Sequence, residues 1–229
     1  MPQPPGSSAM TRPRAVIFDM DGLMFNTEDV YWHVGSELLR RRGHVYTKAM
    51  SDAMMGRTPQ AAFEILIDRY GLSDDWRGLA DESEAVFVEL LTVHLEMMPG
   101  LETLLDALDA AGIPKAIGTS SARRLADKCL SRFDLHRRFA AILTAEDIVR
   151  GKPDPEIYLR AAERLQVPPA ETVILEDSHV GCRAAAAAGA FVVAVPAAHS
   201  RNHDFSAASM IAEGLADLRL YELLEIAGD

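Results

Sequence analysis

The sequence AVIFDMDG at residues 15–22 joins a short apolar run to two carboxylates and a glycine. Residues 15–18 are apolar and two of them are β-branched, which is typical of a strand buried on both faces of a parallel sheet. If the chain stays extended beyond this strand, the side-chain period of two places Asp19 and Asp21 on the same side. Two neighbouring anions repel each other, so the pair needs a cation, a shared proton or strong hydrogen-bond donors. Gly22 allows a sharp turn immediately afterwards.

The composition is ordinary for a globular protein and excludes some partners. Of the 229 residues, 48% are hydrophobic and 25% are charged, which suffices for a substantial core. The formal net charge of -11 argues against binding to a nucleic-acid backbone, which requires a basic face. A small anionic substrate is still compatible, because a metal ion and a few local cations can override the global field.

The two cysteines, Cys129 and Cys182, lie in apolar helical patterns, and we expect buried free thiols, with a disulfide or a reactive thiol as the alternative.

The beginning of the chain has no pattern that directs it to a membrane. Residues 1–14 contain Pro, Gly and Ser without the apolar segment of a secretory signal, and we predict a disordered tail there. Elsewhere, no uninterrupted apolar run approaches the roughly 20 residues that a bilayer-spanning helix needs. We therefore expect a cytoplasmic protein, monomeric or dimeric, that binds neither membrane nor nucleic acid.

The order of helical and extended patterns predicts the fold. Residues 25–97 carry apolar side chains at near-helical spacing and contain no convincing strand. From residue 98 onward, helical and extended patterns alternate, and the chain closes with a helix over residues 215–226. The extended patterns lie at residues 114–118, 139–143, 172–175 and 191–195. Such alternation predicts an α/β protein with a doubly wound, Rossmann-like parallel sheet over residues 15–24 and 98–229, interrupted by an α-helical domain.

Three predicted strands end in polar residues, and in parallel sheets ligands bind at the carboxyl ends of the strands. These residues are Asp19 with Asp21, then Thr119 with Ser120 and Ser121, then Glu176 with Asp177. A lone Asp-x-Asp pair would equally suit a helix cap or a turn, but here a second acidic pair is expected at the same edge. Converging carboxylates provide the hard oxygen ligands that Mg²⁺ prefers. Zn²⁺ would require His or Cys at ligand spacing, which the seven histidines do not show.

A phosphate group fits the same edge of the sheet. The hydroxyl-rich residues 119–121 open a helix, where free backbone amides and the helix dipole favour an anion. The alternative is that Ser120 or Ser121 only caps this helix, and we expect one of them to do both. Lys152, in the segment RGKPDP, precedes another helix and can reach back over the strand ends. Alone it would be a solvated lysine, but beside clustered carboxylates it supplies the positive charge that phosphoryl transfer needs.

Taken in chain order, these features resemble the four motifs of the haloacid dehalogenase superfamily. The resemblance is to the branch of β-phosphoglucomutase-like and pseudouridine-phosphatase-like enzymes, which insert a helical cap just after the first strand. The matching motifs are FDMDG at residues 18–22, Thr119 with Ser120, Lys152, and Glu176 with Asp177. The resemblance covers nearly all of residues 15–226 and implies that residues 25–97 form the cap domain.

The resemblance implies a Mg²⁺-dependent phosphatase that hydrolyses a small phosphorylated metabolite, either a sugar phosphate or a nucleotide-type monophosphate, through an aspartyl phosphate. In such an enzyme Asp19 would attack phosphorus, and Asp21 would act first as an acid and then as a base. Lys152 would also orient Asp19. Asp21 would reach the metal through its backbone carbonyl, and Glu176 would reach it through water. The implied ligands are Asp19, Asp21, Glu176 and Asp177 for Mg²⁺, and Thr119, Ser120 and Lys152 for phosphate.

Two other functions are compatible with parts of this pattern. Sugar phosphomutases of this branch typically carry Thr-x-x-x-His after the nucleophile loop, whereas here Thr27 is followed by Tyr31 at the histidine position, which favours hydrolysis. The segment DGLMFNTE is similar to hydrolases of the branch, although Asn26 stands where Asp is frequent. Phosphoacceptor signalling domains also combine acids, a hydroxyl and a lysine, but they lack the helical insert and are shorter.

Substrate choice is expected to lie in the cap. Trp32, Arg57 and Lys48 are the candidate residues there, with the alternatives that Trp32 belongs to the cap core and that Arg57 is solvated. Three histidines near predicted strand ends, namely His179, His199 and His203, receive no role from the sequence and are expected at the surface.

Overall fold

The computed structural model describes residues 13–54 and 59–227, with no description of the Pro59 side chain. The chain divides into two compact units, one formed by Met1–Phe25 with Met97–Asp229 and one formed by Asn26–Glu96. The predicted tail lies almost entirely outside the described residues, and the candidate specificity residue Arg57 lies outside them as well. That the Asn26–Glu96 unit acts as a cap stays a prediction.

The larger unit is organised by a parallel sheet. Within the described residues the sheet has six strands in the order β3-β2-β1-β4-β5-β6, and every neighbouring pair is parallel. The strands are β1 (Ala15–Phe18), β2 (Lys115–Gly118), β3 (Ala141–Leu143), β4 (Thr172–Glu176), β5 (Phe191–Ala194) and β6 (Met210–Ile211). The predicted doubly wound α/β fold is confirmed. Every residue of β1, β2 and β4 is buried, which explains why the sequence of β1 is apolar without alternation.

Nine α-helices lie in the described part of the chain, four in the smaller unit and five in the larger. Those of the smaller unit are α1 (Thr27–Arg41), α2 (Lys48–Met54), α3 (Pro59–Tyr70) and α4 (Trp76–His94). Those of the larger unit are α5 (Leu101–Ala110), α6 (Arg123–Arg132), α7 (Glu156–Leu165), α8 (His179–Ala187) and α9 (Leu218–Leu224). No helix within residues 13–54 and 59–227 combines the length and the apolar character that a membrane crossing requires.

The core of the larger unit lies where α7 and α8 pack on the sheet. Ile17, Ala116 and Ile174, from three adjacent strands, are buried against the inner faces of these helices. In α8 the inner face is made of small residues, including Ala184 and Ala185, so the helix can approach the sheet closely. Cys129 and Cys182 are buried free thiols, as predicted, and burial raises the pKa of each to about 12.

The smaller unit is held by helix packing and by one ion-pair network. The helices α1 and α4 pack along each other through buried apolar residues, among them Val34 and Phe87. At the end of α1, the Arg42 guanidinium lies 2.6 Å from both the Asp74 and the Glu82 carboxylates, which joins that end to α4 and the loop before it.

The structure differs from the local predictions at four places, and the first is the closing helix, predicted over residues 215–226 and observed as the shorter α9 (Leu218–Leu224). Strand β6 was not predicted, because two residues are too few to show a periodic pattern. Strand β3 begins at Ala141 and not at residue 139, because a 3₁₀ turn over His136–Arg138 precedes it. Neither Ser120 nor Ser121 caps α6. Its N-cap is Ala122, and the free backbone N–H of Arg123 donates instead to Glu146 Oε2 at 2.9 Å.

Candidate active site

The carboxyl ends of β1 and β4 bring three carboxylates together. Phe18 pairs with Leu175 in the sheet, so Asp19 and Glu176 follow at the same level. The side chains of Asp19, Glu176 and Asp177 are all buried, and one carboxylate oxygen from each lies within 4.8 Å of the others. This cluster of hard oxygen ligands could hold a divalent metal ion.

Lys152 reaches the same cluster from the loop before α7. Its Nζ lies 2.5 Å from Asp19 Oδ1 and 2.6 Å from Glu176 Oε1, and its side chain is only 7% exposed. Burial by itself lowers the pKa of Lys152, but the charges of Asp19 and Glu176 raise it above its ordinary value. The lysine therefore stays cationic and holds one oxygen of Asp19.

Glu176 is enclosed by donors on both oxygens. Its Oε1 accepts from Lys152 and, at 2.6 Å, from the Tyr158 hydroxyl. Its Oε2 accepts from the backbone N–H of Ser178 at 3.1 Å and from the Ser178 hydroxyl at 2.9 Å. A Cβ at Gly181 would overlap this carboxylate, so the first turn of α8 must carry glycine here. Because both oxygens are occupied, Glu176 fits a role in holding Lys152 better than direct metal ligation.

Tyr158 contacts both Glu176 and Lys152, and the sequence predicted neither contact. The residue is fully buried, and Lys152 Nζ lies 4.8 Å from the centre of its ring, within cation–π range. The end of β2 carries Gly118, where a Cβ would lie 3.2 Å from the Tyr158 ring, so a larger residue would crowd it. In the sequence Tyr158 is one of several apolar positions of α7, and no local signal shows that its hydroxyl meets a carboxylate.

Tyr158→Phe tests how much that hydroxyl stabilises the cluster. The substitution removes a donor to a buried carboxylate, and we expect a loss of about 1.5–3 kcal/mol in the free energy of unfolding. Urea denaturation of the metal-free protein measures it. The matched control is Tyr70→Phe, because the Tyr70 hydroxyl donates to the neutral Val45 carbonyl at 2.8 Å in an exposed position, and a smaller loss is expected. Equal losses in the two variants would contradict the role of Tyr158.

Two hydroxyls hold the Asp21 carboxylate. Thr119 Oγ1 and Ser121 Oγ each donate to Asp21 Oδ2 at 2.8 Å. The backbone N–H of Ser121 donates in turn to Thr119 Oγ1 at 3.0 Å, which orients the threonine. Thr119 is fully buried, whereas Ser120 is exposed at the same strand end. Sequence reasoning grouped Ser121 with the strand-end hydroxyls but did not foresee its contact with Asp21.

A histidine also contacts the cluster and was assigned no role from the sequence. His199 Nε2 lies 2.8 Å from Asp177 Oδ2, in the loop that follows β5. Nearby, His179 and His203 meet edge to face with ring centres 4.9 Å apart. The expected surface position therefore does not hold for His199, whose side chain is 21% exposed and reaches the candidate metal site.

The charge balance of the cluster favours a bound cation. Burial raises the pKa of Asp19 well above its usual value, and the neighbouring carboxylates raise it further against the opposing effect of Lys152. Burial likewise raises the pKa of Asp177, although the hydrogen bond from His199 opposes the shift. One lysine faces three buried carboxylates, and a divalent cation would offset the excess negative charge. The triad itself offers only carboxylate oxygens, a set of ligands that suits a hard divalent cation.

The remaining predicted specificity residues lie in the smaller unit. Trp32 packs against Tyr46 with ring centres 5.2 Å apart, and it borders a groove together with Asn26 and Glu96. Lys48 forms an ion pair with Asp52 one helical turn away. A substrate role stays a prediction for both residues.

The sequence matches a known family. The model of the family described as haloacid dehalogenase-like hydrolase matches residues 16–195, which includes the four predicted motifs.

Named relatives of known or inferred activity are similar over most of the chain. The chain is 35% identical over 179 residues to the phosphorylated carbohydrates phosphatase of Thermotoga maritima, covering 76% of this chain and 81% of that protein. It is 31% identical over 209 residues to a probable pseudouridine-5'-phosphatase of Drosophila melanogaster, covering 89% and 90% of the two chains. Among solved structures, a putative β-phosphoglucomutase from Thermotoga maritima superposes with a TM-score of 0.78 at 30% identity, covering 93% and 97% of the two chains.

Proposed function

The chain belongs to the haloacid dehalogenase-like hydrolase family, and we propose that it is a Mg²⁺-dependent phosphatase that works through an aspartyl phosphate. Two of its named relatives are a phosphorylated carbohydrates phosphatase and a probable pseudouridine-5'-phosphatase, and the general activity is that of a phosphoric monoester hydrolase. The observation that carries the detailed proposal is the contact of Lys152 with Asp19 inside a buried cluster of three carboxylates. A nucleophile, a charge that orients it and a metal site thus lie within one small volume.

In the proposed first step, Asp19 attacks the phosphorus atom. Lys152 holds Asp19 Oδ1 at 2.5 Å, which orients the other oxygen toward the substrate. A bond forms between that oxygen and phosphorus, while the bond from phosphorus to the leaving oxygen breaks. Asp21 donates its proton to the leaving oxygen. Thr119 and Ser121 hold Asp21 by Oδ2, so Oδ1 is the atom proposed to carry this proton.

The second step releases phosphate. Asp21, now an anion, takes a proton from a water molecule as the water attacks the aspartyl phosphate, and the bond between phosphorus and Asp19 breaks. Both groups then return to their starting protonation states. When bound by Asp19, the Asp21 carbonyl and Asp177, Mg²⁺ would neutralise charge on the phosphoryl oxygens. Thr119, Ser120 and Lys152 are proposed to bind the phosphate, Thr119 only once its hydroxyl, which here donates to Asp21, has turned away from that carboxylate.

The proposed substrates are sugar phosphates or nucleotide-type monophosphates. This range follows the named relatives, of which one acts on phosphorylated carbohydrates and another is a probable pseudouridine-5'-phosphatase. Phosphomutase activity is the alternative, because a solved relative carries that name. At the position where such mutases typically have histidine, the ring of Tyr31 packs against Phe87 with centres 4.7 Å apart. A phenol ordinarily does not exchange its proton near neutral pH as an imidazole does, so tyrosine in place of histidine favours hydrolysis.

Metal removal tests the proposed function. After treatment with EDTA and dialysis, the protein should lose its hydrolysis of p-nitrophenyl phosphate, and added Mg²⁺ should restore it. Ca²⁺ at the same concentration should restore little, because the larger ion accepts a looser geometry. A panel of sugar phosphates and nucleoside monophosphates, scored for both released phosphate and isomerised product, then identifies the substrate class. Hydrolysis that survives complete metal removal, or isomerised product without phosphate release, would overturn the proposal.

A further inference from the structure

We propose that His199 is a positioning residue for Asp177, and that it sets the affinity of the site for Mg²⁺ without touching the metal or the substrate. This inference rests on the metal site of the proposed function. In the proposed arrangement the Nε2–H of His199 donates to Asp177 Oδ2, which lies 2.8 Å away. The other oxygen, Oδ1, makes no hydrogen bond within the described part of the chain, so it can face the metal.

The pair is confined by the loop that carries the proposed nucleophile. Gly22 follows Asp21 and has a φ of +76°, a conformation that favours glycine. A Cβ at this position would lie 2.6 Å from Asp177 Oδ2 and 2.8 Å from His199 Cε1. The two partners of the hydrogen bond therefore fill the space that a side chain at residue 22 would need. Because Gly22 directly follows Asp21, the loop that carries Asp21 also borders this hydrogen bond.

The loop that carries His199 is itself anchored. It begins where the Val195 N–H donates to the Glu176 carbonyl at 2.7 Å, beside the cluster. Ser200, the residue after the histidine, is fully buried, and its hydroxyl accepts from the Ala197 N–H at 3.0 Å. The Ser200 N–H donates back to the Ala197 carbonyl at 3.1 Å, which closes a turn around His199. A histidine on such a turn enters the site with little conformational freedom to lose, as expected for a residue that orients another.

His199 can affect the metal affinity because it limits the rotation of the Asp177 carboxylate. An Asp177 side chain without a partner on Oδ2 can rotate away from the position that a metal requires, and its ordering must then accompany metal binding. Partners that hold a metal ligand from outside typically contribute 10–100-fold to metal affinity. A merely structural role for His199 would change the stability of the protein and leave the metal response unaltered.

In the experiment, the purified full chain is titrated with Mg²⁺ in the absence of substrate. The unfolding temperature is measured at each Mg²⁺ concentration. For His199→Ala we expect the Mg²⁺ concentration that gives half of the stabilisation to rise about 10–100-fold. The KM for p-nitrophenyl phosphate at saturating Mg²⁺ should stay within about threefold of the wild-type value, because His199 does not contact the substrate. His199→Gln, whose amide nitrogen can replace Nε2, should recover most of the Mg²⁺ response, and the shorter His199→Asn should not.

The matched control is His136→Ala. Its Nε2 also lies near a carboxylate, Asp127 Oδ1 at 3.3 Å, but this pair is at the surface on α6 and the turn after it. This variant should titrate with Mg²⁺ like the wild type. If the wild type itself shows neither Mg²⁺-dependent stabilisation nor activity, the proposed function fails. If the wild type responds and His199→Ala responds at the same concentration, only the role of His199 is overturned. Should His199→Ala not fold, equal responses of the Gln and Asn variants would overturn it.

Discussion

Asp19→Asn is expected to lower the hydrolysis of p-nitrophenyl phosphate by a factor on the order of 10³ or more. The amide cannot attack phosphorus, so no aspartyl phosphate forms. The fold should survive, because burial and the neighbouring carboxylates raise the pKa of Asp19 and thus disfavour its anion in the folded protein. In this variant Lys152 loses a charged hydrogen-bond acceptor, which lowers the stability. The removal of a disfavoured buried anion offsets that loss. Initial rates at saturating Mg²⁺ and thermal unfolding in EDTA measure the two effects separately.

The control for this prediction is Asp127→Asn. It makes the same chemical change at an exposed carboxylate whose described partner is His136. Its rate should equal that of the wild type. A near-normal rate in Asp19→Asn would refute the assignment of the nucleophile, whereas a low rate combined with an unfolding transition lost in EDTA would show only that the residue is needed for folding.

Lys152→Met is expected to lower both the activity and the stability. The substitution leaves Asp19 and Glu176 buried without their cation, and loss of one partner of a buried ion pair typically costs about 3–5 kcal/mol. The unfolding temperature in EDTA should fall by about 2–4 °C for each kcal/mol. The activity at saturating Mg²⁺ should fall on the order of 10²-fold or more, because Asp19 is no longer oriented and the phosphate loses a positive charge.

Two further variants separate these effects. Lys152→Met combined with Glu176→Gln restores the net charge of the cluster, so it should recover part of the stability but none of the activity. Lys152→Arg keeps the charge but replaces a compact ammonium by a planar group, and only a partial activity is expected. If Lys152→Met unfolds at the wild-type temperature in EDTA, the buried ion pairs do not stabilise the fold. If it also retains the wild-type rate, its role in phosphoryl transfer is wrong.

The fold class followed from local patterns that any parallel sheet imposes. The apolar run of β1 lacks alternation because both faces of the strand are covered, and the helices that follow reveal the crossovers. The family was identified from the same stretch together with Lys152 and the second acidic pair, and the match over residues 16–195 confirms it. Local patterns were less informative at element ends. They missed the two-residue edge strand β6 and the cap of α6, because Glu146, a side chain distant in sequence, satisfies the first N–H of α6.

The sequence by itself determined which residues reach the carboxyl edge of the sheet, because chain order and parallel pairing place the end of each strand there regardless of side-chain detail. Asp19, Asp21, Thr119 and Asp177 were predicted on this basis. Only the tertiary structure decided what surrounds them. The Tyr158 hydroxyl donates to Glu176, the Ser121 hydroxyl donates to Asp21, and His199 forms a hydrogen bond with Asp177. The physical reason is that these contacts depend on how a helix is rotated against the sheet and on how a loop turns. Both are set by packing between segments distant in sequence, for which no local period exists.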